Sequence, residues 1–360
     1  MRNTMKKTSL YENHIELNAK IIDFAGYGMP ISYPEGINNE CHSVRNKAGV
    51  FDVSHMGQIL IEGDNCFDFV QRLTTNDVSK IDIGQCQYTA MCNEAGGIID
   101  DLILYKLESG FLFVVNASNI EKDYNWILKN NNKQNRILNL SDKVSLIALQ
   151  GPDSRKILSN FSDFKSIISK LDFYQFSNFS NSNDINIISR TGYTGELGFE
   201  IYGSHSYIKK LWEDLTDRYE VKPIGLAARD ILRLEMCYRL YGNDMDDNIN
   251  PYECGLGWIV DKAGGFIGDA NVKPSIDKKL IALCVNDKGI PRRGYKICNL
   301  KEEIGYVSSG TFSPTLNKGI ALGYVESKSN IDDIFIKVRD RLLSSSIIKG
   351  PFIKESSLFD

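Results

Sequence analysis

Apolar residues recur at helical spacing after Pro34, at Ile37, Cys41, Val44 and Ala48, and Gly49 supplies a stop. From 50 to 62 the pattern changes to alternation, which predicts a strand. Asp64 stands where it can cap a helix carrying Cys66, Phe67, Phe69, Val70 and Leu73. Two apolar runs, 98–107 and 111–115, are split only by Glu108-Ser109-Gly110 and predict a β-hairpin. A helix over 119–130 would turn Ile120, Tyr124 and Ile127 to one face. The polar tract 130–135 reads as an exposed loop. A strand over 143–149 is followed by Gly151-Pro152-Asp153, the start of a helix with Ile157 and Leu158. Strands over 184–190 and 198–202 flank a glycine-rich turn, and amphipathic helices over 207–219 and 226–238 follow.

Near residue 278 the helical spacing ends. Short apolar segments at 279–286, 293–298, 303–307, 319–325, 333–338 and 345–349 alternate with Gly, Asp, Asn and Pro turns. They predict an all-β unit, barrel or sandwich. The boundary falls within 264–275, where Gly264-Gly265 and Pro274 interrupt the chain, giving a body (1–275) and a C-terminal domain (276–360). The body mixes helices and strands without a βαβ rhythm, so the expected class is α+β, not a doubly wound sheet.

Composition narrows the function by exclusion. Lys+Arg 42 against Asp+Glu 46 leaves a net charge of −4, which argues against a whole-chain nucleic-acid footprint. No apolar run is long enough to span a membrane. No secretory or transit signal is legible at the amino terminus, so the expected location is the cytoplasm. The eight cysteines include no C-x-x-C pair and read as small buried hydrophobes. Four histidines without H-x-x-x-H or H-E-x-x-H spacing make a metal centre an unsupported expectation.

Five clusters hold more glycine and polar residues than packing requires: 51–57, 93–102, 190–200, 225–230 and 241–246. Asp100 and Asp101 are adjacent on a predicted strand, so they face opposite sides and are not expected to act as a coupled dyad. If Asp101 faces a cleft, Ile99, Ile103 and Tyr105 share its side. Either acid could instead cap turn amides, and spacing alone leaves the two open. Gly192, Gly195 and Gly198 do not open a helix and do not match a dinucleotide loop. They shape a turn that lets Tyr193 and Glu200 enter one pocket, where a carboxylate could accept the paired N–H donors of an amino-pyrimidinone edge. A plain surface hairpin is the bland reading. Arg229 and Arg233 share a helix face, either within a salt-bridge lattice with Asp230 and Glu235 or as an anion site. Asp52, Ser54 and His55 are too close in one segment to form a hydrolytic triad.

In this order, the five clusters resemble the aminomethyltransferase (T-protein) family of the glycine cleavage system. Further matching motifs are Asp23-Phe24-Ala25-Gly26 with Met29-Pro30, Thr74-Thr75-Asn76-Asp77-Val78, Val115-Asn116-Ala117-Ser118-Asn119, Ala148-Leu149-Gln150-Gly151-Pro152 and Ser309-Gly310-Thr311-Phe312-Ser313-Pro314. The likeness runs over about residues 7–353. It implies a folate-binding body of two intertwined α+β units with antiparallel sheets, followed by a C-terminal β-barrel. It implies transfer of an aminomethyl group from the lipoyl arm of a transiently docked H-protein to tetrahydrofolate, without a metal. It carries the catalytic carboxylate to Asp101 and the folate pocket to Met56, Tyr88, Asn116, Tyr174, Tyr193, Glu200, Arg229 and Tyr241. Arg229 and Arg292 are candidates for anionic groups. Departures from the family pattern are Tyr27-Gly28 before Met29-Pro30, Leu197 where an acid is usual, and a short, non-basic C-terminus. The alternatives are a folate-dependent demethylase of the same superfamily and a folate-binding module that senses or scaffolds.

Overall fold

Consecutive strand residues point to opposite faces of a sheet, and along much of this chain both faces are apolar. The computed structural model describes residues 5–132, 135–180 and 185–360. One sheet has six strands, in the order Phe176–Asn178, Ile187–Ser189, Gly198–Gly203, Ser145–Gln150, Gly49–Asp52 and Lys222–Pro223. All its pairs are antiparallel except the last. A second, antiparallel sheet has five, in the order Cys86–Cys92, Ile98–Lys106, Gly110–Val115, Gly57–Glu62 and Arg136–Asn139. The chain enters the first sheet, leaves to build the second and returns, so the two units are intertwined.

Alternation gives each sheet two jobs. Val50, Ile147, Leu149, Phe199 and Ile201 pack outward, against Leu158, Ile208 and Trp212 of the helices Ser154–Leu158 and His205–Glu213. Their neighbours Phe51, Leu146, Ala148 and Tyr202 pack inward against Tyr105, Leu112 and Val114 of the second sheet. The far face of that sheet, with Ile59, Leu102, Leu104 and Phe113, is covered by Val70, Leu73, Ile120 and Ile127 of the helices Cys66–Leu73 and Ile120–Asn130. Two sheets therefore share one interior, with helices outside both.

Downstream, Lys278–Val285, Lys318–Glu326, Glu303–Ser313, Lys296–Cys298, Ile334–Val338 and Arg341–Ile348 close into an antiparallel barrel around Leu283, Val307, Ile336 and Leu343. The class is α+β with a barrel, as expected. No described helix is long and apolar enough to cross a membrane.

Several local expectations are corrected. The single strand over 50–62 is two strands, Gly49–Asp52 and Gly57–Glu62, in different sheets. The link Val53–Met56 carries the chain between them, and no proline or tight-turn glycine within it marks the break. Asn65, not Asp64, occupies the N-cap of Cys66–Leu73, and no side chain caps it. The barrel strand expected at 303–307 runs on to Ser313. Arg136–Asn139 is an additional strand. Asn131, in the tract expected to be exposed, is buried and accepts the Asn135 N–H at 3.0 Å. Residues 133, 134 and 184, where two expected segments fall, lie outside the described residues.

Two buried guanidinium groups fasten the parts together. Arg45 donates to Glu235 (3.0 and 2.7 Å), to Glu196 (2.8 Å) and to the Thr194 carbonyl (2.6 Å). Glu235 also accepts the Ser313 hydroxyl of the barrel at 2.5 Å, and Glu196 accepts the Ser357 hydroxyl at 2.6 Å. Arg233 donates to Asp230 (2.8 Å), Asp244 (2.7 Å) and the barrel hydroxyl of Ser309 (2.8 Å). Removing one partner of a buried ion pair strands the other charge. Arg45→Met is therefore expected to cost about 3–5 kcal/mol of unfolding free energy, read from urea denaturation. A loss below about 1 kcal/mol, the range of an exposed pair, would contradict this linkage.

Candidate active site

The register of the strand Ile98–Lys106 decides where its two adjacent carboxylates go. Opposite it, Met91 pairs with Asp100 but Cys92 pairs with Ile98, so Ile99 has no partner. A bulge of this kind re-aims side chains. Ile99 joins Leu102 and Leu104 in the core beneath the helices, not the side of Asp101 where alternation predicted it. Beyond the bulge, alternation resumes and turns Ile103 and Tyr105 toward the shared interior. Asp101 opens there into a cavity of about 1700 Å³, and Glu200 enters the same cavity from the facing sheet. Between the sheets the Tyr105 and Tyr202 hydroxyls meet at 2.8 Å, one residue from each sheet.

The structure brings every pocket residue named from the resemblance to this cavity. Tyr88 donates its hydroxyl to Asp101 at 3.0 Å. The Asn116 amide donates to both Asp101 and Asp100, each at 2.9 Å. Tyr174 packs on Phe173 along the wall. Tyr193 stacks on Tyr238, donates its hydroxyl to the Arg239 carbonyl and lies under the Arg229 guanidinium, 4.9 Å from its ring centre. Tyr241 donates to the Ile98 carbonyl at 3.1 Å and accepts from Lys122 at 2.7 Å. Met56 and Arg292 complete the lining from the body and the barrel side.

Electrostatics at the two acids differ from the sequence expectation. Asp100 and Asp101 do diverge, yet they are coupled, because Asn116 bridges them and little water screens them. Burial, and then the neighbouring Asp100 carboxylate, push the Asp101 carboxyl up to about 7. Burial also raises Glu200, against the pull of the Thr191 hydroxyl and of Arg229. The expected lattice of Arg229, Arg233, Asp230 and Glu235 is only partly formed. Arg233 pairs with Asp230, whereas Glu235 pairs with Arg45. Arg229 has no ion pair or side-chain hydrogen bond among the described residues and faces the cavity.

The glycine-rich turn is explained by one side chain. A Cβ at Gly192 or Gly198 would lie 2.0–2.2 Å from the Gln150 amide. That amide donates to the Thr191 carbonyl and accepts the Thr194 hydroxyl, holding the loop that carries Tyr193. Leu197, where an acid is usual in the resembling family, is buried in the outer core and does not line the cavity.

Sequence reasoning missed several lining groups. Trp258 is exposed at the mouth and packs on Tyr88, 5.8 Å between rings. Its signal was an aromatic outside any amphipathic period, after Gly255-Leu256-Gly257. Leu358 and Phe359 also line the cavity, held by Arg190 donating to the carbonyls of Leu358 and Asp360. His55 lines it too, and burial lowers its ring to about 4, leaving it neutral at pH 7. It forms no triad: the Ser54 hydroxyl donates to the Leu146 carbonyl, and Asp52 pairs with His14 at 2.9 Å. Cys86 and Cys237 reach the lining, but burial raises both thiols, Cys237 to about 11.

Because the folded chain holds the Asp101 proton to about 7, against an ordinary carboxylate value of 3.8, it binds that proton more tightly than the unfolded chain. The stabilisation is present below pH 4 and is lost as pH rises through 7. Asp101→Asn cannot ionise. Its melting temperature relative to wild type is expected to rise from about pH 4 to about pH 7 and to level off above that, without ligand. A pH-independent difference by calorimetry would contradict the raised value.

Residues 10–264 match the GCVT N-terminal domain, and residues 278–354 match the glycine cleavage T-protein C-terminal barrel domain. An aminomethyltransferase of Halothermothrix orenii is 45% identical, covering 97% of this chain and 100% of its own. One from Thermotoga maritima is 41% identical, covering 98% and 99%. The crystal structure of glycine cleavage system aminomethyltransferase T from Bartonella henselae superposes with a TM-score of 0.90 at 32% identity, covering 97% of this chain and 98% of that one.

Proposed function

The chain belongs to the glycine cleavage T-protein family of aminomethyltransferases, and from that premise we propose that its central cavity receives tetrahydrofolate and the lipoyl arm of H-protein. The reaction moves the methylene of an aminomethyl group, carried as a thio-aminal on that arm, to tetrahydrofolate. Its products are 5,10-methylenetetrahydrofolate, ammonia and the dihydrolipoyl arm. The observation that carries the reading is the half-buried carboxyl of Asp101, facing a cavity that also receives Glu200 from the other sheet.

The cavity suits two reacting partners. Its volume of about 1700 Å³ exceeds the roughly 300–1,000 Å³ of a site for one small ligand. Glu200 uses one oxygen for Thr191, at 2.6 Å, leaving the other for the N–H donors of a pterin edge. Tyr88, Tyr174, Tyr193 and Tyr241 offer flat apolar walls with polar tips. Arg229, unpaired among the described residues, and Arg292 supply cationic groups for a carboxylate-bearing tail.

When bound, tetrahydrofolate supplies the nucleophilic amine that takes the methylene. The chain's part is to hold that amine against the thio-aminal carbon, which is catalysis by proximity. Ionised Asp101 offsets positive charge developing at the transferred carbon. With a proton held to about 7, its carboxyl can also exchange a proton with the amines near neutral pH. Tyr88 and Asn116 fix its two oxygens.

Mixing the protein with tetrahydrofolate and aminomethyl-loaded H-protein is expected to release ammonia and methylenetetrahydrofolate. No product above background would refute the reading, and demethylation of a free substrate would favour a demethylase. Asp101→Asn is expected to lower kcat at least about 10²-fold while folding and folate binding persist, and near-wild-type turnover would sink its catalytic role. Glu200→Ala removes a charge-assisted hydrogen bond and is expected to weaken tetrahydrofolate binding about tenfold or more. Unchanged affinity by calorimetry would count against the clamp.

A further inference from the structure

Asp100 is not the last buried acid here. Asp123, on the helix Ile120–Asn130, is fully buried as well. Spacings of three and four residues bring Asn116, Asn119 and Asp123 to one side of their segment, against Asp100. Asp100 is well supplied with donors. One of its oxygens accepts the Asn116 and Asn119 amides at 2.9 and 2.6 Å, and the other accepts the Asn116 backbone N–H at 3.0 Å. The Asp100 and Asp123 carboxyls are in hydrogen-bonding contact. Yet neither oxygen of Asp123 has a donor among the described residues. Lys122, the adjacent cation, points instead to the Tyr241 hydroxyl (2.7 Å) and to Asp247 (3.4 Å). Two buried carboxyls can share such a contact only if one carries a proton. Asp100 has three other donors and Asp123 has none, so the proton belongs on Asp123.

We propose that Asp123 is a neutral carboxylic acid that donates to Asp100, holds Asp100 as an anion and thereby sets the protonation of Asp101. Asp123 is then a positioning residue for the aminomethyl transfer, and this part rests on the role given to Asp101 above. Asp100 is the anion that raises Asp101 toward neutrality. The other groups facing Asp101 are Tyr88, Tyr174, Tyr193 and Cys254, all pushed upward by burial and uncharged at pH 7. The cations lie elsewhere: Arg229 against Tyr193, and Lys122 against Tyr241. Burial drives Asp123 itself well above the usual carboxylate range.

Two measurements test this. The first is carbon NMR of the full chain with ¹³C-labelled aspartate carboxyls, without substrates, comparing wild type with Asp123→Asn to identify the Asp123 signal. That signal is expected to stay at its protonated position to pH 8, and titration with a midpoint below pH 6 would overturn the proposal. It needs no activity, so it stands or falls apart from the aminomethyltransferase reading. The second is the pH dependence of kcat/KM. Asp123→Asn keeps a donor toward Asp100 and should keep the wild-type midpoint. Asp123→Ala removes it, lets Asp100 take up a proton, and should lower the Asp101 midpoint by about one pH unit. A wild-type midpoint in Asp123→Ala, or an equal shift in Asp123→Asn, would overturn the proposal. If Asp123→Ala does not fold, the carbon signal decides.

Discussion

A carboxylate in an apolar interior needs donors or a proton, and much of this site follows from meeting that need at Asp101. The strand that carries it is bulged at Ile99, and the bulge sends Asp101 inward while Asp100 goes beneath the helices. Tyr88 and Asn116 then satisfy Asp101 without neutralising it. No lysine or arginine pairs with either acid among the described residues. The result is a carboxyl poised near neutrality because the fold withholds a counter-cation, in a protein that uses guanidinium groups freely elsewhere.

Those other guanidinium groups make the withholding possible. Arg45 and Arg233 tie the helix Leu226–Glu235 to the barrel, to the 190–197 loop and to the C-terminal segment. The same helix carries Arg229, and the loop carries Tyr193, so the fastenings that stiffen the molecule also fix two walls of the cavity. The barrel adds Thr311, Phe312 and Ile347 to the lining. A site assembled from two sheets, a helix, a loop and a barrel stays aligned only if these parts are held at fixed distances, and buried ion pairs with several donors each do that.

Periodicity made the regular parts legible. The 98–115 hairpin, the helix Ile120–Asn130 and the six barrel strands follow from period and turn chemistry alone. The irregular parts were not legible for physical reasons. A bulge leaves no compositional mark, so alternation places Ile99 on the wrong face. The crossing at Val53–Met56 contains no proline or glycine to mark where one strand ends and the next begins. Choosing Asp101 over Asp100 needed the family resemblance, because two adjacent acids look alike in sequence. Partners far apart in the chain, such as Arg45 with Glu235 or His14 with Asp52, have no local signature at all. Coupling through Asn116 likewise appears only when the third residue is in place.

The central claim is that the space between the sheets orients tetrahydrofolate by its two carboxylates. The most direct measurement is a crystal structure of the protein with tetrahydrofolate bound. The pterin amino-pyrimidinone edge is expected on Glu200, the ring between tyrosine faces, and N5 within hydrogen-bonding reach of Asp101. A folate bound with its pterin outside the cavity, or with N5 turned away from Asp101, would contradict it.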